Sequence, residues 1–375
     1  MDSPQPFTTP DFTTAEPPLS ETALPPAPHQ PSLLHRVFVG PFGLRAGWSL
    51  LIFFALLFGC VMAVRGVQHE VKAHHDQAAA KSADAPAAKS DPNELERIKP
   101  MLIGESSVFA VFLLISWIMS RIERRKFSVY GFGGSHSLSR FLMGSLWGLV
   151  AMGFFIAVLH FAHLLVFDGR LDFGWPILGW GFAQLLGFLF VGLFEEFSFR
   201  GYIQFTLTRG MFGLCKFVSP ERARSIAFWI AAVLTSALFF FAHTSNVGET
   251  RVGLINVFLA GLVLVVALWR TGSLWWAIGF HMAWDWSQSF LYGVPDSGGL
   301  VQGRLFATHA IGKPLLSGGT DGPEGSLLCI PILLLLIVVL FFTRKSPQPP
   351  LEPKSLPIPD NADSAIPVLP VETIS

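Results

Sequence analysis

Charged residues are scarce in this 375-residue chain: Asp, Glu, Lys and Arg make up 14% of it, whereas hydrophobic residues make up 51%. A soluble domain usually carries about 25% charged residues. The composition therefore indicates an integral membrane protein. Basic and acidic residues balance at 26 each, which removes any charge argument for a nucleic-acid partner.

Cysteine is also rare, and no secretory signal opens the chain. Cys60, Cys215 and Cys329 lie far apart, without the spacing of a metal site or a disulfide framework. Residues 1–34 are rich in Pro, Ser and Thr and lack the basic start and apolar run of a signal peptide. We predict a disordered, Pro-rich N-terminal tail over residues 1–40 and a disordered, Pro-rich C-terminal tail over residues 346–375.

Long apolar segments are abundant between residues 41 and 345, which we assign to one transmembrane domain. A helix needs about 20 apolar residues to cross the hydrocarbon core of a bilayer. The sequence predicts eight spans, at residues 47–64, 102–120, 141–167, 175–197, 226–243, 253–269, 273–292 and 326–342. The predicted fold is an all-α polytopic membrane protein with about eight transmembrane helices.

Basic residues beside the span ends predict the orientation of the protein. Short cytoplasmic loops hold an excess of Lys and Arg. Two connectors have such an excess: one holds Arg121, Arg124, Arg125, Lys126 and Arg140, and the other holds Arg209, Lys216, Arg222 and Arg224. We predict that both connectors and both termini are cytoplasmic in a multi-pass protein of the cell membrane.

Two adjacent carboxylates, Glu195 and Glu196, interrupt the apolar fourth span, and Arg200 follows one turn later. A charge at the bilayer centre costs about 2.5–3.5 kcal/mol on insertion scales, so intramembrane acids normally face a protein interior and have partners. Glu196 and Arg200 share a helix face, which favours an ion pair. Glu195 is turned about 100° away and is left to act on water. By itself, this segment is equally consistent with an ion pair that ends a helix at the membrane boundary.

Two more spans have polar residues at helical spacing. In the fifth span Ser236, Phe239 and His243 form one stripe, and in the seventh span His281 and Asp285 share a face. An acid one turn from a histidine can accept its ring N–H and fix the tautomer. The alternative for each segment is ordinary: a histidine at a membrane interface, or a polar pair that packs two helices together.

Together, the three segments resemble the CAAX prenyl protease and bacteriocin-processing family of intramembrane proteases, called CPBP or Abi. The family signature is Glu-Glu-x-x-x-Arg, then Phe-x-x-x-His, then His-x-x-x-Asn or Asp. In this chain it stands as Glu195-Glu196-x-x-x-Arg200, Phe239-x-x-x-His243 and His281-x-x-x-Asp285. The resemblance covers about residues 183–291 and implies an active site inside the helix bundle.

The resemblance also implies roles for the motif residues. Glu195 would activate the attacking water, and Glu196 and Arg200 would support it. His243 and His281 would position the water or stabilise the oxyanion. Asp285 departs from the Asn of many relatives, which makes it a poorer hydrogen-bond donor.

We therefore predict an intramembrane endopeptidase that hydrolyses a peptide bond of a peptide or protein, prenylated and membrane-anchored substrates included. Two mechanisms stay open: a water activated by glutamate without a metal, or a water on zinc held by Glu195, His243 and His281. Two other functions also stay open. Intramembrane acids and histidines mark transporters and proton-coupled carriers, and a non-catalytic membrane scaffold could keep the same residues for packing.

The predicted spans leave a problem of depth. Glu195 falls near the inner end of the fourth span. His243 lies near the outer end of the fifth span, because the helix that separates it from the inner end is roughly 27 Å long. The two side chains can meet if the fourth helix continues past Arg200, or if the connector at 201–223 re-enters the membrane. We expect the fourth helix to continue.

Overall fold

The computed structural model describes residues 32–40, 43–81, 94–133, 136–170, 174–246 and 248–343. Most of the two predicted tails, at 1–31 and 344–375, therefore lies outside the described residues.

Helices dominate the described chain. Its first half contains α1 (Leu33–Phe38), β1 (Val39–Gly40), β2 (Gly43–Leu44), α2 (Ala46–Lys81), α3 (Glu94–Ile122), α4 (Ser137–Phe161) and β3 (Leu165–Arg170). Its second half contains α5 (Trp175–Glu195), a first π-helical segment (Glu196–Ile203), α6 (Gln204–Val218), α7 (Ala223–His243), α8 (Arg251–Thr271), α9 (Trp275–Trp286), a second π-helical segment (Ser287–Leu291), β4 (Phe306–Ala310), α10 (Pro314–Ser317) and α11 (Cys329–Thr343).

The predicted all-α polytopic architecture is confirmed. Six segments of the described chain are long and apolar enough to cross a membrane: Ala46–Ala63, Leu102–Ile122, Ser137–Phe161, Trp175–Val218, Ala223–His243 and Arg251–Thr271. The two other predicted spans correspond to shorter helices, because α9 has 12 residues and α11 has 15. Six rather than eight segments thus reach the length of a full span.

The fourth helix continues past Arg200, as we expected from the depth of Glu195. Helical structure is unbroken from Trp175 to Val218, a run of 44 residues that includes the first π-helical segment. A four-residue turn then leads into α7. The connector therefore does not re-enter the membrane as a loop.

The third predicted span, 141–167, is wrong at its end. Helix α4 stops at Phe161, and the apolar residues from Leu165 onward form β3, which pairs antiparallel with β4. His163 adopts a positive φ of 56° in the turn between them. Leu165 is buried in the protein, so its apolar side chain is covered by protein packing rather than by lipid.

Helices α4 and α9 run in parallel at close range. A Cβ on Gly144 would collide with the backbone carbonyl of Trp276, and one on Gly148 would collide with that of Phe280. The small-x-x-x-small step in α4 is thus a helix-packing surface. The hydrophobic core beside it is shared by α4, α8, α9 and α11, and its buried members include Met152, Phe155, Val263, Trp276 and Leu333.

The bundle has two chemically different ends. We call the end with the connectors after α3 and α6 the basic end. We call the opposite end, with β3, β4 and the loops after α7 and α9, the acidic end. Helices α4, α7 and α9 all lead from the basic end to the acidic end.

Candidate active site

The first π-helical segment places the two glutamates at the junction of α5 and α6. Glu195 is the last residue of α5, and Glu196 begins the wider turn. π-Helical turns are rare and frequently occur at functional sites. Glu196 and Arg200 form the ion pair that their spacing predicts, with Oε1 and Nη1 2.9 Å apart and both side chains fully buried. Glu195 differs because 16% of its side chain stays accessible.

His281 of α9 lies between the two glutamates. Its Nδ1 is 2.9 Å from Oε1 of Glu196 and donates to it, because an ion-paired carboxylate only accepts. Its Nε2 lies 3.6 Å from Oε2 of Glu195 and 3.4 Å from Oδ2 of Asp285. The sequence suggested Asp285 as the acceptor of the ring N–H. In the structure Glu196 accepts the hydrogen bond from Nδ1, and Asp285 faces the other nitrogen.

Phe239 of α7 connects the arginine to the two histidines. The guanidinium carbon of Arg200 lies 4.2 Å from the centre of the Phe239 ring, which is a cation–π contact. The same ring has its centroid 4.4 Å from that of His243 and 6.4 Å from that of His281. The phenylalanine of the Phe-x-x-x-His motif is therefore a packing partner for three site residues.

His243 ends α7 with one ring nitrogen already bonded. Its Nδ1–H donates to the backbone carbonyl of Phe239 at 2.8 Å. In the neutral ring Nε2 is then an acceptor, which can orient a water molecule. Ser236, on the same stripe, is fully buried against Gly261 of α8 and is not among the residues that line the cavity beside His243.

A cavity of about 240 Å³ lies between α5, α7, α8, α9 and the loops of the acidic end. A water molecule takes about 30 Å³ of the liquid, so the cavity holds several waters or a small part of a substrate. Four predicted site residues line it: Glu195, His243, His281 and Asp285. The other two, Glu196 and Arg200, are buried outside its lining.

Two acids line this cavity that the sequence analysis did not identify, Asp296 and Glu324. Trp284 donates its Nε1–H to Oε1 of Glu324 at 2.9 Å, and the hydroxyl of Ser289 lies 3.4 Å from Oδ2 of Asp296. Both acids lie in loops after α9, at no fixed spacing from the motifs. Their signal in the sequence is weak: acidic residues in the Gly- and Pro-rich stretch that follows a site helix.

Asp285, Asp296 and Glu324 bring their oxygens within 4.8 Å of one another. Among the described residues, these three carboxylates form the group of His, Cys, Asp or Glu side chains whose ligand atoms lie close enough together to bind one metal ion. It contains neither the nitrogen nor the sulfur ligands that zinc prefers. The zinc set suggested by the sequence does not converge in this way.

Crowded carboxylates alter proton binding at the acidic end. Burial, followed by the charges of Asp285 and Glu324, holds the pKa of Asp296 well above its usual range. Burial, followed by the charges of Asp321 and Glu324, raises the pKa of Glu249 to about 8. Glu249 therefore titrates near neutral pH.

Residues 175–287 match the family described as type II CAAX prenyl endopeptidase Rce1-like. The matched segment spans just under a third of the chain, from the start of α5 into the second π-helical segment, and contains all six predicted site residues. This match supports the resemblance of that segment to the CPBP family. No curated protein and no solved structure matches the chain.

The match indicates a membrane protease of the CAAX type, which implies a protein substrate in a membrane. It favours the endopeptidase over the transporter and the scaffold that the sequence left open. Asp296 and Glu324 lie outside the segment that matches the family.

Proposed function

We propose that this protein is an intramembrane endopeptidase in which Glu195 activates the attacking water. The observation that supports it is the unequal placement of the two glutamates around His281. Glu196 is fully buried and does not line the cavity. Glu195 does line the cavity, with its Oε2 3.6 Å from Nε2 of His281. One carboxylate holds the histidine, and the other is left for chemistry.

In the proposed reaction Glu195 takes a proton from a cavity water while the water oxygen bonds to the carbonyl carbon of the substrate. His243 orients that water through Nε2. The tetrahedral intermediate then collapses and its C–N bond breaks. The proton passes from Glu195 to the amine nitrogen, which leaves a carboxylic acid and a free amine. His281 exchanges this proton with Glu195, because its Nε2 faces that carboxylate.

The substrate that we propose is a peptide or a membrane-anchored protein, prenylated ones included. Apolar side chains line the cavity beside Glu195, among them Phe188, Val191, Leu264 and Phe280. These surfaces suit an apolar side chain or a lipid chain next to the scissile bond. A matched pair of quenched fluorescent peptides, with and without a farnesyl group on cysteine, tests this preference.

The decisive experiment is cleavage of these peptides by the full chain in liposomes. Glu195→Gln should lower kcat/KM by about 10²–10⁴-fold, because a general base contributes that much. The matched control is Glu221→Gln, an exposed residue in the turn between α6 and α7, which should cleave like the parent protein. Full activity of a folded Glu195→Gln protein would disprove the proposal.

The metal question has its own test. A glutamate-activated water predicts that cleavage survives prolonged treatment with a zinc chelator. Loss of cleavage on chelation, followed by recovery with added zinc, would instead favour the zinc mechanism at Glu195, His243 and His281.

A further inference from the structure

Three carboxylates converge on one wall of the cavity from separate parts of the chain. Asp285 belongs to α9, Asp296 to the loop after it and Glu324 to the turn before α11. Their oxygens lie within 4.8 Å of one another. Ca²⁺ holds oxygen ligands at about 2.3–2.6 Å, so ligands on opposite sides of one ion are about 5 Å apart. A single ion can therefore reach all three.

No lysine or arginine offsets these charges at the cavity wall, and the basic group in contact with them is His281, 3.4 Å from Oδ2 of Asp285. The described residues that line the cavity include no lysine and no arginine. Glu324 and Asp296 each have a hydrogen bond from a neutral donor, Trp284 and Ser289 respectively. Such donors orient the carboxylates without neutralising them.

Asn256 of α8 provides an independent observation at the same place. It lines the cavity, and only 2% of its surface is exposed. Its Nδ2 donates to the backbone carbonyls of Glu324 and Ser326 at 2.7 and 3.0 Å, which fixes the amide orientation. Its Oδ1 has no hydrogen-bond partner among the described residues. A buried amide oxygen without a partner costs free energy, and a cation would remove that cost.

The geometry points to a site for a hard divalent cation, Ca²⁺ or Mg²⁺, in which the three carboxylates and the Asn256 oxygen are ligands. An all-oxygen set is the kind that these ions select. The site is separate from the zinc set considered for catalysis. Its existence does not depend on the proposed protease mechanism.

The proposed ion site is coupled to the active site through Asp285. This carboxylate also lies 3.4 Å from Nε2 of His281. A bound ion would compete with the imidazole for the same carboxylate. Ion occupancy would therefore change how tightly His281 is held on the Nε2 side.

Terbium luminescence tests the site directly, because Tb³⁺ replaces Ca²⁺ at oxygen sites and is excited by a nearby indole. Trp284 is hydrogen-bonded to Glu324 and is thus an adjacent sensitiser. With the purified full chain we expect saturable Tb³⁺ emission that excess Ca²⁺ or Mg²⁺ displaces. Asp296→Asn and Glu324→Gln should each weaken Tb³⁺ binding by at least about tenfold. Asp168→Asn, which changes an exposed acid in β3, should bind like the parent.

Either of two results would overturn the site: a parent protein without saturable, displaceable emission, or emission that is equally strong in Asp296→Asn and Glu324→Gln. Thermal unfolding of the parent supplies a second measurement if a variant does not fold. Ca²⁺ or Mg²⁺ should raise the Tm of the parent protein by a few degrees, and an unchanged Tm would also contradict the site. Both readouts measure binding, so they stand apart from the cleavage assay.

Discussion

Glu196 is the residue on which the geometry of the active site depends. Its Oε1 accepts from both Arg200 and His281, each at 2.9 Å. Its Oε2 has no hydrogen-bond partner in the described part of the chain. One buried oxygen thus connects the π-helical segment to α9, and in the proposed mechanism Glu196 positions His281 rather than meeting substrate.

Removal of one member of the Glu196–Arg200 pair should be costly. Glu196→Gln leaves a buried guanidinium without its counter-charge, and we expect a loss of about 3–5 kcal/mol in the free energy of unfolding. The double variant Glu196→Gln/Arg200→Gln should be more stable than Glu196→Gln alone, because no unpaired charge remains. Denaturant unfolding in detergent measures both. A double variant as unstable as the sum of the two single variants would contradict the charge explanation.

Glu249 makes stability depend on pH. Its pKa is about 8 in the folded protein, above the usual 4.5, because burial and two neighbouring carboxylates oppose its charge. This contribution to stability is complete below about pH 4.5 and is lost as the pH rises through 8. The Tm of the parent should therefore fall between pH 5 and pH 8.

Glu249→Gln should reduce this fall in Tm by a few degrees, since the neutral amide does not titrate. Glu221→Gln, at the other end of the bundle, is the control and should show the same fall as the parent. Differential scanning fluorimetry in detergent at the two pH values is sufficient. An unchanged fall in Glu249→Gln would assign the pH dependence to other groups.

At the scale of elements, the unbroken run from α5 to α6 brings Glu195 and His243 to the same level. Glu195 lies 24 residues before the first residue of the turn between α6 and α7, Ser219, and His243 lies 21 residues after its last residue, Arg222. Two antiparallel helices of similar length place residues at equal distance from their turn side by side. The active site thus needs α6, although none of its residues lines the main cavity.

Helix α9 carries His281 and Asp285, and α4 holds it in place through glycines. At Gly148 the nearest atoms to an added Cβ are backbone atoms of Phe280 and Trp284, which cannot rotate away as a side chain would. A larger residue there must move α9 itself. Such a shift would change the His281 contacts that the proposed mechanism requires.

Gly148→Ala should therefore destabilise the protein by about 1–3 kcal/mol, the usual cost of overpacking, and lower kcat. Gly179→Ala in α5 is the matched control, because an added Cβ there meets no atom within 4 Å. It should leave both stability and cleavage close to the parent values. Unfolding and cleavage are measured on the same preparations, and equal behaviour of the two variants would exclude close α4–α9 packing as the cause.

At the scale of the whole molecule, the two ends of the bundle differ in charge. The basic end holds an excess of Lys and Arg, among them Arg124, Lys126, Arg222 and Arg224. The acidic end has no such excess, because acids such as Glu249, Asp296, Asp321 and Glu324 accompany its basic residues, which are Arg170, Arg251, Arg304 and Lys313. The cavity lies toward the acidic end. By the excess of basic residues in cytoplasmic loops, the acidic end is predicted to face away from the cytoplasm.

Cysteine labelling tests this orientation. Asp168→Cys is exposed at the acidic end, and Glu221→Cys is exposed at the basic end. A membrane-impermeant maleimide should label Asp168→Cys in intact cells, and Glu221→Cys only after lysis. The parent protein, with Cys60, Cys215 and Cys329, gives the background. The reverse labelling pattern would invert the predicted topology.

The amino-acid sequence by itself determined the membrane class, most of the long helices and the six motif residues. These follow from local properties of the sequence, because the length of an apolar segment and the spacing of residues within one helix depend only on neighbouring residues. The ion pair of Glu196 and Arg200 was predictable for the same reason, since one helix carries both partners. Helix ends were less certain: the apolar residues after Phe161 were assigned to a span, yet they pair as β3 with a strand more than 130 residues away.

Only the tertiary structure decided which groups meet across helices. It made Glu196 the acceptor of the His281 N–H, it placed Asp296 and Glu324 beside Asp285, and it left Glu195 as the accessible glutamate. No periodicity links these residues, because they come together through packing between segments far apart in the chain. Separate motifs form a site only where they come together in space, and the spacing of residues along one helix does not predict where that happens.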